Sequence, residues 1–316
     1  MSSETEVEEV LQGLSLEEAY AICRGIAKRE AKNFYYSFVA LPAPRRDAIC
    51  SIYAFMRKAD DLSDDESISI SERRMLLDVW LRAWYEAREG GPTQEPVFIA
   101  VRDAAARFGI PFSLLDELVA GVTLDLEAGS MGALDTYSTF ADLYRYCYLV
   151  ASVVGLVCIR IFGYSDPHAE ELAEETGIAF QLTNILRDVA EDARRNRIYL
   201  PLDDLAKYGV SVDQLARHAK SGITAEERLL FKSIADRAET YYRSAQELLL
   251  LIDPESRPAL WVLVTIYHRL LKRIEASDYE VFLRRISVLT IQKLGILGCG
   301  VARMGAMRLM GPIFSR

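Results

Sequence analysis

Asn184, Asp188 and Asp192 recur every four residues within the stretch Gln181 to Pro201, QLTNILRDVAEDARRNRIYLP, and Gln181 lies one turn before Asn184. At helical spacing these groups share one face, so the stretch presents a row of oxygen donors inside an otherwise apolar run carrying Ile185, Leu186 and Val189. Arg187, Arg194, Arg195 and Arg197 bring positive charge around the carboxylates. Oxygen-only donors suit Mg²⁺, and neighbouring arginines suit phosphate. A solvated acidic face tied by ion pairs along the helix has the same spacing. A second acidic cluster decides between the two.

That cluster ends the run RRDAICSIYAFMRKADDLSDD, where Tyr53, Arg57, Asp60, Asp61 and Asp64 follow the rhythm of one helical face and Asp65 sits one turn after Asp61. Aspartates packed this closely repel one another and lie badly against the negative end of a helix dipole. A bound cation removes that cost; a solvated loop after the helix is the alternative. Gly121-Val-Thr-Leu-Asp125 puts a further carboxylate in an apolar helix, which calls for a polar partner or a share in the site. Two acidic faces with arginines, joined by helices rich in tyrosine and phenylalanine, suggest the walls of a cavity built to ionise an allylic diphosphate. Mg²⁺ and arginine would neutralise the leaving group, and aromatic walls would keep water from the carbocation.

The elements that must position these groups are helical. The chain has 316 residues, 51% hydrophobic and 26% charged, which is enough for a large core. Ser15 to Glu18 has the form of a capping box opening the first helix. Breaks fall at 41–44, 89–92, 109–111, 129–132, 163–167, Pro201 and 253–258, cutting the chain into about eight to ten helices with no strand pattern. The expected organisation is an acidic tail at 1–14, one all-α domain over 15–295, and a basic apolar tail at 296–316. Trp80 and Trp84, one turn apart, read as core; so, as one alternative, do Phe34 and Phe38. Tyr146 and Val150 share a face, with Gly155 not far off, a place where another helix or a ligand can approach.

Composition excludes several classes. A net charge of −9 argues against a nucleic-acid binder. Cysteines 23, 50, 147, 158 and 299 make no metal spacing and read as small buried hydrophobes in a reducing compartment. The three histidines are isolated. The first ten residues lack the basic and apolar regions of a signal peptide, and no run of about 18 apolar residues is free of charge, so a cytoplasmic protein is expected.

Tyr53 to Asp65 (YAFMRKADDLSDD) and Gln181 to Asp192 (QLTNILRDVAED) followed by Arg197-Ile-Tyr-Leu-Pro201 resemble the two signatures of the squalene/phytoene synthase family. Residues 121–125, 146–155 and 267–293 also resemble its pattern, so the likeness runs over roughly residues 20 to 295. The resemblance implies an all-α isoprenoid-synthase bundle around a central cavity. It also implies Mg²⁺-dependent head-to-head condensation of two prenyl diphosphates through a cyclopropylcarbinyl diphosphate. It implies metal ligation by Asp60, Asp61, Asp64, Asn184, Asp188 and Asp192, with Asp65 assisting. Tyr53, Arg57, Arg187, Arg197, Tyr267 and Arg284 would contact diphosphate, with Lys58 a weaker candidate. Gln181 and Asp125 would sit near the reacting carbons or the metal shell. Phe34, Ser37, Phe38, Tyr146, Val150 and Tyr199 would meet the prenyl chains.

Phytoene synthases of the family tend to carry smaller groups one turn below Phe34, so the resemblance makes a bulky Phe38 favour C15 substrates and a C30 product, with presqualene diphosphate, dehydrosqualene and phytoene all reasonable outputs. NADPH use is not supported: Gly298-Cys-Gly300 lacks a third small residue at 303 and any strand context, and the reductive signature is missing around Arg257 to Thr265. After Glu280 the chain has no acid but carries Arg284, Arg285, Lys293, Arg303, Arg308 and Arg316, which fits either a peripheral contact with anionic lipid or a final core helix. A terpene cyclase or head-to-tail prenyltransferase is the competing enzyme reading, set back by the RIYLP extension. A non-catalytic lipid-binding or assembly relative is the third, set back by the retention of both aspartate clusters.

Overall fold

A computed structural model describes residues 13–65, 67–128, 135–217 and 222–310. Among the described residues the chain forms fourteen α-helices, one π-helical turn and a single pair of two-residue strands, so the fold is all-α as the periodicity requires. The helices outnumber the eight to ten expected because several are short and because some breaks, such as that at Ala31, carry neither Gly nor Pro. The expected break at 129–132 and nearly all of the acidic tail lie outside the described residues. The chain gathers into two compact units, one of residues 13–32 with 43–110 and one of residues 33–42 with 111–310.

In chain order α1 (Leu16–Glu30) and α2 (Lys32–Val39) come first, and the first unit is built from α1 with α3 (Ala43–Ser63), α4 (Ile70–Arg88) and α5 (Pro96–Phe108). Its helix starts are set locally. Ser15 and Glu18 form the expected reciprocal cap on α1, Ser69 and Glu72 repeat it on α4, and Gly109 closes α5 in the left-handed conformation at φ 61°. The core is aromatic: Phe55 lies 4.9 Å from Trp80 and 5.0 Å from Trp84, and Phe98 packs against both tryptophans. Cys23 and Cys50 are buried in this unit, and burial pushes each thiol up to about 12.

The second unit holds α6 (Phe112–Ala128), α7 (Phe140–Cys147), the π turn Tyr148–Ser152, α8 (Val153–Phe162) and α9 (His168–Arg194). It continues through α10 (Leu202–Tyr208), α11 (Val212–Arg217), α12 (Ala225–Leu251), α13 (Arg257–Ala276) and α14 (Thr290–Met310). The spine is α9, 27 residues and so about 40 Å long. Thr183 on α9 meets Tyr242 of α12 at 2.9 Å in the dry interior. Glycine governs the approach of the π turn to its neighbours. A Cβ on Gly177 of α9 would fall 2.5 Å from Ser152 Cα, and one on Gly121 of α6 would fall 2.9 Å from the Leu149 carbonyl oxygen. Gly155 likewise brings α8 against the Ala173 carbonyl, so helix packing is what the small residues of this stretch serve. Phe140–Phe162 is, among the described residues, the one run apolar and long enough to cross a membrane, and these contacts give its apolar face a partner inside the unit.

The strands are a departure from the sequence reading. β1 (Asp135–Thr136) pairs in parallel with β2 (Arg197–Ile198), Asp135 opposite Arg197 and Thr136 opposite Ile198. Two residues are too few to show alternation. The chain reaches this register because Asn196 takes a left-handed φ of 58° straight after α9, a conformation asparagine tolerates. Leu202 and Asp203 then donate backbone bonds to the Tyr137 and Ser138 carbonyls, at 2.8 and 3.2 Å. The cysteines also depart in part: Cys147 is buried, but Cys158 is only partly covered by whole-residue exposure and Cys299 is exposed on α14.

Candidate active site

The first acidic face occupies the last turns of α3. Its apolar side, with Ile52, Phe55 and Ala59, is packed into the first unit, which leaves Tyr53, Arg57, Asp60 and Asp61 on the less buried side. Arg57 pairs with Asp61 at 2.6 Å, both side chains substantially exposed. Asp64 lies just past the helix, where its N–H donates to the Asp60 carbonyl at 2.8 Å. Asp65 turns away and accepts from the Ser67 backbone and hydroxyl. Burial pushes the Tyr53 phenol up to about 12; Arg57 opposes the rise, while Glu30, Asp60 and Asp61 add to it.

The second face lies mid-helix on α9, and it is half-buried. Gln181 accepts from the Asn184 amide nitrogen at 3.3 Å. The Asn184 carbonyl oxygen is buried with no hydrogen-bond partner among the described residues, an arrangement that costs free energy unless a ligand satisfies it. Asp188 is gripped by Arg187 in a two-pronged pair and by Arg285 at 3.0 Å, and Arg285 also reaches Glu191 at 3.1 Å. Asp192 is pushed up to about 7, by burial first and then by the negative charges of Asp188 and Glu191, against the pull of Arg197 and Arg195.

Cations and aromatic rings complete this region of the second unit. Tyr267 is buried, stacks on Phe180 at 4.5 Å and lies 5.7 Å from Phe34. Its phenol is raised to about 12 by burial, while Arg187 and a hydrogen bond from Asn184 pull it the other way, which places it beside both. Lys293 is lowered by burial and by the Arg187 charge. Arg187, Arg285 and Lys293 therefore form a positive group around Asp188. Sequence reasoning missed Arg285 and Lys293 as members. The sequence points to Arg284 of the same doublet; both arginines are exposed, and it is Arg285 that pairs with Asp188 and Glu191.

The RIYLP segment has a visible structural task. Tyr199 stacks on Tyr146 at 5.0 Å and on Tyr137 at 6.0 Å, while β2 fixes Arg197 opposite Asp135. Asp192, Arg197 and Tyr199 line a small recess together with Ile185, Val189, Ile198, Leu200 and Leu215. Val150 is half-buried in the π turn. Phe38 is buried, and Ser37 spends its hydroxyl on the Phe34 carbonyl at 2.7 Å. Asp125 is on α6, but its side chain is outside the described residues.

Among the described residues no three His, Cys, Asp or Glu groups converge tightly enough to hold an ion by themselves. The donor set of α9 nevertheless fits a hard cation: an unsatisfied amide oxygen and two carboxylates on one face, one of them pushed up by burial and by its acidic neighbours.

Acidic helical faces with arginines beside them, on an all-α scaffold, fit an isoprenoid synthase. The squalene/phytoene synthase family profile matches residues 27–292, and the chain belongs to that family. It is 35% identical to a phytoene synthase of Arthrospira platensis over 290 residues, covering 88% of this chain and 90% of the relative. A dehydrosqualene synthase crystal structure superposes with a TM-score of 0.79 at 28% identity, covering 92% of this chain and 98% of that one. A squalene synthase from Alicyclobacillus acidocaldarius superposes at 0.74 and 27% identity, covering 84% and 96%. The chain is accordingly a prenyltransferase of the head-to-head type.

Proposed function

We propose that the protein joins two molecules of geranylgeranyl diphosphate head to head to give a C40 hydrocarbon of the phytoene type. The observation that carries the reading is the α9 face, where the unpartnered Asn184 oxygen lies in line with Asp188 and Asp192 beside Arg187, Arg285 and Lys293. Asn184, Asp188 and Asp192 would hold Mg²⁺; Asp60, Asp61 and Asp64, on the first unit, are a second set of oxygens of the same chemistry. Bound Mg²⁺ supplies the charge that lets diphosphate leave. Arg187 and Arg285, now spent on Asp188, are the residues to turn to the departing phosphates. Tyr267, Phe180 and Phe34 offer ring faces to a cation and exclude water.

In the reaction the C1 cation of one donor is attacked by the double bond of the other, one diphosphate and one proton leave, and a cyclopropylcarbinyl diphosphate forms. Loss of the second diphosphate, rearrangement and loss of a second proton give the linear hydrocarbon, with no reductant consumed. The phytoene synthase relative supports the C20 substrate. Phe38, large and buried near Phe34, supports the second reading, farnesyl diphosphate and a C30 product. The exposed Cys299 thiol suits a reducing, cytoplasmic compartment.

The test is to incubate the protein with Mg²⁺ and either diphosphate, with and without NADPH, and identify the extracted lipids. A C40 product from geranylgeranyl diphosphate without NADPH is expected. Product from farnesyl diphosphate alone would overturn the chain length, and no diphosphate release from either would end the enzyme reading.

A further inference from the structure

The outer face of α14 inverts the usual pattern of a surface helix. Ile296 and Gly300 face inward, where Ile296 packs with Val262 and Ile266 and a Cβ on Gly300 would strike Val262. The exposed positions from 291 to 302 are Ile291, Leu294, Gly295, Gly298, Cys299, Val301 and Ala302, without a polar side chain among them. Ile291 is 76% exposed and Leu294 52%. Just before the helix, Leu289 and Leu283 are also exposed, at 52% and 61%, the latter next to exposed Arg284. A soluble surface helix turns such residues to the core. Here they face out along about 18 Å of helix.

Charge identifies what covers this face. From Val281 to the C-terminus there are six basic residues and no acid, on a chain of net charge −9; Arg285 and Lys293 are engaged near Asp188, while Arg284 and Arg303 are exposed beside the stripe. Arg303 sits over the Trp261 ring at 3.9 Å, holding a cation beside the apolar stripe. Another exposed apolar group, Met75, Leu76 and Val79 on α4, lies among both acids (Glu72, Asp78, Glu86) and arginines (Arg73, Arg74, Arg82), so no single sign of charge marks it. Two copies meeting symmetrically through α14 would set arginines against arginines. An anionic bilayer surface takes both features together: acyl chains receive Ile291 and Leu294, and headgroups receive the arginines.

We propose that the outer face of α14, with the Leu283 to Leu289 segment before it, docks on the surface of an anionic membrane. The docking is argued from the surface alone; its use, delivery of a water-insoluble product, rests on the proposed function.

The experiment floats the full chain with phosphatidylcholine vesicles, neutral or containing about a third phosphatidylglycerol, beside an Ile291→Glu/Leu294→Glu variant. The wild-type chain should float with anionic vesicles and not with neutral ones. The variant should lose about tenfold of the bound fraction while keeping its helical circular dichroism and its turnover of detergent-dispersed substrate. Undiminished flotation of the variant, or wild-type binding that ignores lipid charge, overturns the proposal. So does a dimer that the variant splits while neither chain binds vesicles, which would make the occupant a second copy. Flotation by a chain that releases no diphosphate would end the synthase reading and leave the docking surface standing.

Discussion

The two acidic faces share a spacing and differ in everything that surrounds it. On α3 the aspartates sit at the end of a helix, Asp61 and Asp64 open to water, and the Arg57–Asp61 pair is of the exposed kind that adds little to stability. On α9 the face lies mid-helix, Asp188 is only 16% exposed between two arginines, and the Asn184 oxygen has no partner among the described residues. One face is close to what the sequence dictates by itself. The other exists because α13, the segment before α14 and α14 itself bring Tyr267, Arg285 and Lys293 onto it, so that it stores a need for a ligand in the folded chain.

The largest effect that could break this contrast is on turnover. Asp188→Asn should lower kcat by about 10³-fold, because it removes a candidate ligand and leaves two cations facing a neutral amide. Asp61→Asn, open to water, should cost less than about tenfold in the same assay. Equal losses would erase the difference between the faces.

Stability gives the next effect. Gly177→Val should destabilise by about 3 kcal/mol in urea melts, since its side chain has no room against Ser152. Ser69→Ala, which removes only a local cap on α4, should cost about 1 kcal/mol. A small effect at Gly177 would mean that the spine does not depend on that crossing.

The third effect is a slope. Asp192 rises from 3.8 to about 7 on folding, so between those values the folded chain keeps a proton that the unfolded chain has released. Stability of the metal-free protein should therefore fall as pH climbs from about 4 to about 7. Asp192→Asn should flatten that part of the curve, read as urea midpoint in the presence of a chelator; an unchanged slope would show that Asp192 is not the group responsible.

Both acidic faces, the Ser15 cap and most helix breaks were legible in the sequence, because spacing, capping and Gly/Pro chemistry are local. What was illegible depends on where the chain goes next. Of the doublet Arg284 and Arg285, only the path of the extended segment decides which reaches Asp188; Val281, Phe282, Ile286 and Val288 are buried around it, and Asp278 and Tyr279 enter with left-handed φ of 58° and 62°. The β1–β2 bridge is too short to carry a pattern. Residue type predicts a buried Cys299, and its place on the outward face of α14 defeats that inference.

The π turn has a consequence for how this chain can tolerate change. Val153 N–H bonds back to the Tyr148 carbonyl, five residues away, so the turn carries one residue more than a regular helix needs. One residue is about 100° of rotation. In an unbroken helix Tyr146 and Gly155 would lie about 180° apart; the extra residue closes that to about 80°. Residue number in this segment therefore acts as an angular setting. Removing one residue from 148–152 would let the stretch close as a regular helix with Gly155 at the same setting against α9, whereas adding one would turn α8 by about 100° and swing Gly155 away.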